Sequence, residues 1–192
     1  MERSLPIRLF IIFSVLLLTS CAGEDLDDLL SENYNARLSK IFIYDSDLVG
    51  QWNIKAVITD KSVDLNNDKI SSTDLMKETS CFENMSYTFR GDKTFTIISS
   101  QLNMKTGEDR DVFSCMNPVT TTGKWSLKDD MLSLFVRVNG REIEQKKHVI
   151  LVGDSFFLEI NSYESKEFIN DAGGTIASGL NIVSLEYKKS GK

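Results

Sequence analysis

The chain reads as all-β, an antiparallel up-and-down β-barrel of about eight strands. Three observations lead there: apolar side chains that alternate with period two, tight turn signals at short spacing, and the need of any meander to dispose of its edges. The first strand carries Trp52, Ile54, Ala56 and Ile58, alternating with Asn53, Lys55 and Val57. Met85, Tyr87 and Phe89 alternate with Ser86, Thr88 and Arg90, and the turn Gly91-Asp92-Lys93 leads to Phe95 and Ile97. Leu132, Leu134, Val136 and Val138 alternate with Ser133, Phe135 and Arg137. Val183, Leu185 and Tyr187 close the chain, with Ser184 and Glu186 opposite. Such alternation marks strands with one buried face. Turns are signalled at Gly91-Asp92, Asp129-Asp130, Asn139-Gly140 and Gly153-Asp154. Asn139-Gly140 is the strongest of these, since both residues accept the positive φ of a type I′ hairpin. Closing the meander into a barrel removes its unpaired edges; a two-sheet β-sandwich is the alternative. Two segments fall outside the pattern: Asp25 to Ser39, a short helix through Leu26, Leu29, Leu30 and Leu38, and Asn161 to Ser178, a polar long loop.

The chain of 192 residues has a formal charge of -6. That balance argues against nucleic acid, which calls for basic patches. Only two prolines occur, and no long linker interrupts residues 48–189. Three segments result: 1–20 as a leader, 21–45 as an acidic tether, and 46–192 as the barrel domain.

The leader has a secretion signal's three parts. Arg3 and Arg8 give a positive start, Leu9 to Leu18 an apolar centre, and Thr19 and Ser20 the small residues before a cut. The apolar centre, at roughly ten residues, is shorter than the roughly 17–25 a membrane-spanning helix needs. Leu18-Thr19-Ser20-Cys21 resembles the lipobox of bacterial lipoproteins. The resemblance implies cleavage before Cys21, fatty acylation (palmitate among the chains) of that residue, and permanent membrane attachment. Residue 22 is alanine; it is not the aspartate that resembles an inner-membrane retention signal, so the outer membrane is the expected location. Glu24-Asp25-Leu26-Asp27-Asp28 resembles the surface-export signals of Bacteroidetes lipoproteins, and a plain solvated acidic tether fits the same residues.

With Cys21 assigned to lipid, Cys81 and Cys115 remain. They are a disulfide or two buried free thiols, and an oxidising envelope favours the disulfide.

Leu48-Val49-Gly50-Gln51-Trp52 resembles the Gly-x-Trp signature that opens the first lipocalin strand. Asp64-Leu65-Asn66-Asn67-Asp68, Ser72-Thr73-Asp74-Leu75, Cys81-Phe82, Tyr87-Thr88-Phe89 and Gly123-Lys124-Trp125-Ser126-Leu127 look like the lipocalin-like lipoproteins of Bacteroidetes. The resemblance implies a lipocalin-like barrel with a role in the cell envelope. It implies that Gly50 and Trp52 plug one end, with a late basic residue, Lys188 or Lys189, over the tryptophan ring. Trp125 is expected in the core.

A barrel offers its open mouth and interior as a site. Ile54, Tyr87, Phe89, Phe95, Leu134 and Tyr187 alternate inward and are the candidate ligand-lining residues, although the same residues would equally fill a closed core. Asp64, Asn66 and Asp68 repeat side-chain oxygens at the spacing of a calcium loop, with Asp74 near enough to add another. Lys69 stands where that loop needs glycine, and Leu75 where it needs glutamate, so an Asx-rich turn is the competing reading. Enzyme chemistry finds little support. His148 is the sole histidine, Glu142 and Glu144 share a solvated strand face, and no nucleophile elbow, metalloprotease helix or phosphate loop occurs. The expected function is therefore non-catalytic binding of a small hydrophobic or amphipathic ligand, with no cofactor other than calcium. A filled barrel that meets another envelope protein is the alternative.

Overall fold

The computed structural model describes residues 43–108 and 111–191. The chain enters through a one-turn helix, α1 (Asp45–Leu48), which spans the expected boundary between tether and barrel. The strands follow as β1 (Gly50–Val63), β2 (Ser72–Asp74), β3 (Ser86–Phe89), β4 (Thr94–Ser99), β5 (Leu102–Thr106), β6 (Asp111–Cys115), β7 (Val119–Lys128), β8 (Met131–Val138), β9 (Arg141–Val152), β10 (Ser155–Glu159), β11 (Ile169–Asp171) and β12 (Ile182–Lys189).

Eight strands close an antiparallel barrel in the order β12-β10-β9-β8-β7-β4-β3-β1, with β1 pairing back onto β12. Closure leaves those strands no free edge. β2 adds to the far half of β1, where Val63 opposes Ser72. Strands β5, β6 and β11 form a separate three-stranded sheet, in which β11 runs parallel to β5 and β6 antiparallel to it.

The two ends of the barrel differ because the connections do. At one end the links are tight turns: β3–β4, β7–β8 and β9–β10, with positive φ at Lys93, Asp129 and Gly153. At the other end lie the long links β1–β3, β4–β7 and β10–β12, which carry β2 and the small sheet. The β8–β9 turn is also there, with Asn139 and Gly140 both at positive φ, as a type I′ turn demands.

The lower half of the barrel, near the tight turns, is filled. Trp52 meets Phe156 edge-on at 5.0 Å between ring centroids, Phe156 stacks on Tyr187 at 4.9 Å, and Phe89 meets Trp125 at 5.4 Å. Such pairs add to the area they bury. Gly123 makes the fit possible, because a Cβ there would stand 2.1 Å from the Phe135 carbonyl oxygen and 2.9 Å from the Phe95 ring.

Three details depart from the alternation in the sequence. On β1 a register shift against β12 between Ile54 and Ala56 turns Val57 and Thr59 inward, so Val57, expected on the outer face, is fully buried and Ile58 is half-buried. On β12 the inward set is Ile182, Leu185 and Tyr187, while Val183 is exposed. A register shift against β1, where Ile58 opposes Ser184 but Thr59 opposes Ile182, leaves Val183 as the extra bulge residue and turns Ile182 inward. The expected loop from Asn161 to Ser178 contains a 3-10 turn, Glu164–Glu167, and strand β11. The leader, Cys21, the acidic tether as far as residue 42 and the expected helix at Asp25–Ser39 lie outside the described residues. Among the described residues no helix is long and apolar enough to cross a membrane.

Candidate functional site: the barrel mouth

The closed end is built around Gly50 and Trp52. Gly50 has φ +138°, and a Cβ on it would stand 2.9 Å from the Lys189 side chain. The absent side chain lets Lys189 lie across the strand start, with its Nζ 4.9 Å from the centre of the Trp52 ring. The same ammonium donates to the Asp47 carbonyl at 2.8 Å, and Trp52 Nε1 donates to the Leu48 carbonyl at 2.7 Å. Both acceptors lie at the end of α1, where helix carbonyls lack partners of their own. Of the two lysines expected over the tryptophan, Lys189 takes the place; Lys188 pairs with Asp154 on the surface. Trp125, buried on β7, donates to the Arg90 carbonyl at 3.2 Å, and Lys93 sits 4.1 Å over its ring. This end is a plug.

The open end holds a cavity of about 500 Å³. That lies within the range of small-molecule sites, roughly 300–1,000 Å³. Its floor includes Tyr87 and Tyr187, its walls Ile97, Thr121, Val136, Gln145 and Lys147, and its far side Glu167 and Phe168 from the 3-10 turn. The structure therefore divides the six expected lining residues. Tyr87 and Tyr187 reach the cavity; Ile54, Phe89, Phe95 and Leu134 are not in its wall but in the packed core beneath.

Tyr87 and Tyr187 are 6% and 1% exposed, and their rings cross at 87° with centroids 5.0 Å apart. Neither hydroxyl finds a hydrogen-bond partner among the described residues. Both residues line the cavity, and the buried side-chain oxygen left without a partner among the described residues is Ser100 Oγ. Burial pushes the Tyr87 hydroxyl far above its ordinary pKa, and the Glu167 and Glu164 carboxylates push it further. Burial does the same for Tyr187, helped by Tyr87. Both stay protonated donors at any physiological pH.

Lys147 and Gln145 are site residues that sequence reasoning missed. Both share the inward phase of Val149 and Leu151 on β9, and that phase is the signal that could have found them. Lys147 is ion-paired with Glu164 of the 3-10 turn, and both side chains are largely buried. The pair ties the covering segment to the barrel wall. Beyond the cavity the strands run on, and their inward positions Val119, Val138 and Ile143 are 60%, 46% and 44% exposed, an apolar lip.

Asp64, Asn66 and Asp68 share one turn, in which their oxygens accept backbone amides: Asp64 those of Asp68 (3.2 Å) and Lys69 (2.9 Å), Asn66 that of Asp68 (2.9 Å), and Asp68 that of Ile70 (2.7 Å). Asn67 and Lys69 hold positive φ there. Asp74 is not with them: its Oδ1 accepts the amides of Val57 and Met76, both at 3.1 Å. Among the described residues no group of three or more His, Cys, Asp or Glu side chains is placed to hold a metal. Elsewhere, His148 faces solvent beside Asp130, 3.5 Å away. Glu142 and Glu144 are exposed on β9, and Glu144 pairs with Lys146. Cys81 and Cys115 form a disulfide that joins the β1–β3 link to the end of β6.

Fold and site together define a small lipocalin-like barrel, plugged at one end and hollow at the other. Residues 25–151 match the model of a family described as a domain of unknown function (DUF5004), and the chain belongs to that family. The match covers α1 and the barrel strands from β1 almost to the end of β9; β10 and β12, which complete the closure, follow it. No curated protein and no solved structure matches the chain.

Proposed function

We propose that this protein is an envelope lipoprotein, held at the outer membrane through Cys21, whose barrel binds a small apolar or amphipathic ligand without catalysis. The observation that carries the binding role is the cavity of about 500 Å³ above a packed aromatic floor. A barrel filled to its rim would have no room for a ligand. Burial of apolar ligand surface supplies the driving force, about 25 cal/mol per Å² before ordering costs. The envelope location rests on the lipobox-like Leu18-Thr19-Ser20-Cys21, and the Cys81–Cys115 disulfide supports it, since such bonds persist in oxidising compartments.

The exposed lip of Val119, Val138 and Ile143 favours a second reading, in which the mouth meets another envelope protein. Native mass spectrometry of the purified protein separates the two. Binding predicts a copurifying small molecule that is released on denaturation; a bare mass, together with failure to take up an uncharged apolar dye, would leave the interaction reading. For the anchor, Cys21→Ser is expected to accumulate as an unlipidated precursor in fractionated cells. Processing and release of that variant like wild type would refute the anchor.

A further inference from the structure

The cavity floor carries two tyrosines, Tyr87 on β3 and Tyr187 on β12, and its walls are mixed, with Thr121, Gln145, Lys147 and Glu167 beside Ile97, Val136 and Val138. Phe156 holds both rings from below, at 4.9 Å from Tyr187 and 5.7 Å from Tyr87. Phenylalanine at either position would supply the same ring to the core, so packing gives no reason for the hydroxyls. Both point to something in the cavity that accepts hydrogen bonds.

The surrounding charges limit what that acceptor is. Lys147 reaches inward, but Glu164 already pairs with it. Glu167 and Arg137 also line the cavity, and both are exposed. A further carboxylate at the tyrosines would enter the field of Glu164 and Glu167, the two charges that already bear on Tyr87. An uncharged oxygen would accept from both hydroxyls at no such cost.

We propose that the barrel takes an uncharged amphiphile head first, with an alcohol, ester or ketone oxygen accepting hydrogen bonds from Tyr87 and Tyr187 and the hydrocarbon chain leaving along the wall past Val136 and Val138. The proposal rests on the ligand-binding reading above and adds the ligand's class and direction. Under it, a free fatty acid is rejected although its chain fits as well.

The test uses the full chain and a fluorescent uncharged probe without an oxygen acceptor, phenylnaphthylamine, displaced in turn by decanol, methyl decanoate and decanoate at neutral pH. Decanol and the ester are expected to displace the probe, with decanoate at least about tenfold weaker, because its charge meets two carboxylates. Tyr87→Phe and Tyr187→Phe should each weaken decanol about five- to tenfold, the size of one lost hydrogen bond. Circular dichroism and the melting temperature report that both variants are folded, and each variant's decanol affinity is read relative to its own affinity for the probe. Decanoate binding as tightly as decanol, or phenylalanine variants that hold decanol unchanged, would overturn the head-first proposal and leave the barrel a binding protein. Absence of probe binding to wild type would overturn the binding reading itself, and this one with it.

Discussion

Replacing Trp52 by alanine is expected to cost about 3–5 kcal/mol, the range for removing a fully buried aromatic side chain from a core. For a barrel domain of this size that lowers the melting temperature by about 10 °C. The cavity is one part of the loss. The Trp52 ring is an edge partner of Phe156 at 5.0 Å and the surface on which Lys189 lies, so its removal loosens the aromatic floor and the lysine together. The indole N–H is the other part, because without it the Leu48 carbonyl at the end of α1 loses its 2.7 Å donor. Trp52→Phe should recover most of the packing and none of the hydrogen bond, so it should fall between the two. Calorimetry of the three proteins decides. A Trp52→Ala variant melting within about 2 °C of wild type would remove the plug from the account of this fold.

The parts of the fold that could be read in advance are those where one face is dry and the other wet. Trp52 and Ile54 on β1, Tyr87 and Phe89 on β3, and Leu132 and Leu134 on β8 alternate because water touches only the outer side. The small sheet gave no such signal. Leu102, Asn103 and Met104 are all buried, so β5 has no wet face to reveal its period. Its partner β11 is 67 residues away, and the contact between Asn103 and Asn170 that joins them is polar, at 2.9 Å. Nothing local in Ile169-Asn170-Asp171 announces a strand; its pairing partner defines it. The site divides along the same line. Tyr87 and Tyr187 were legible as inward residues, but the depth at which packing stops is a property of the closed barrel, so Ile54 and Leu134 looked equivalent to them. Lys147 and Gln145 looked like surface residues because polar side chains usually are. They turn inward since β9 continues past the packed core into the mouth.

Removing the Cys81–Cys115 bridge is the second large effect. A Cys81→Ala/Cys115→Ala double variant should lose about 2–4 kcal/mol, because the bond shortens the unfolded chain across a 34-residue separation. The geometry adds a local consequence. Among the described residues β6 pairs with β5 alone, and its residues are half-buried or exposed, so little apolar burial holds it. The disulfide fixes its last residue to the β1–β3 link, next to the fully buried Phe82. Hydrogen exchange should therefore show two changes in the double variant: the amides of Asp111–Cys115 opening first, and the barrel amides of β1 and β12 losing protection only by the global loss. A melting temperature unchanged by the double substitution would contradict the entropic contribution. Unchanged exchange in β6 beside a lowered melting temperature would mean that pairing with β5 alone secures the small sheet. The cavity wall gives a third reading of the same variant. Leu102 at the start of β5 is the strand partner of Cys115; its amide donates to the Phe168 carbonyl at 2.8 Å, and Phe168 lines the mouth. Loss of order in the small sheet should thus reach the ligand site through Phe168 and weaken binding of the uncharged probe, while the tyrosine floor stays in place.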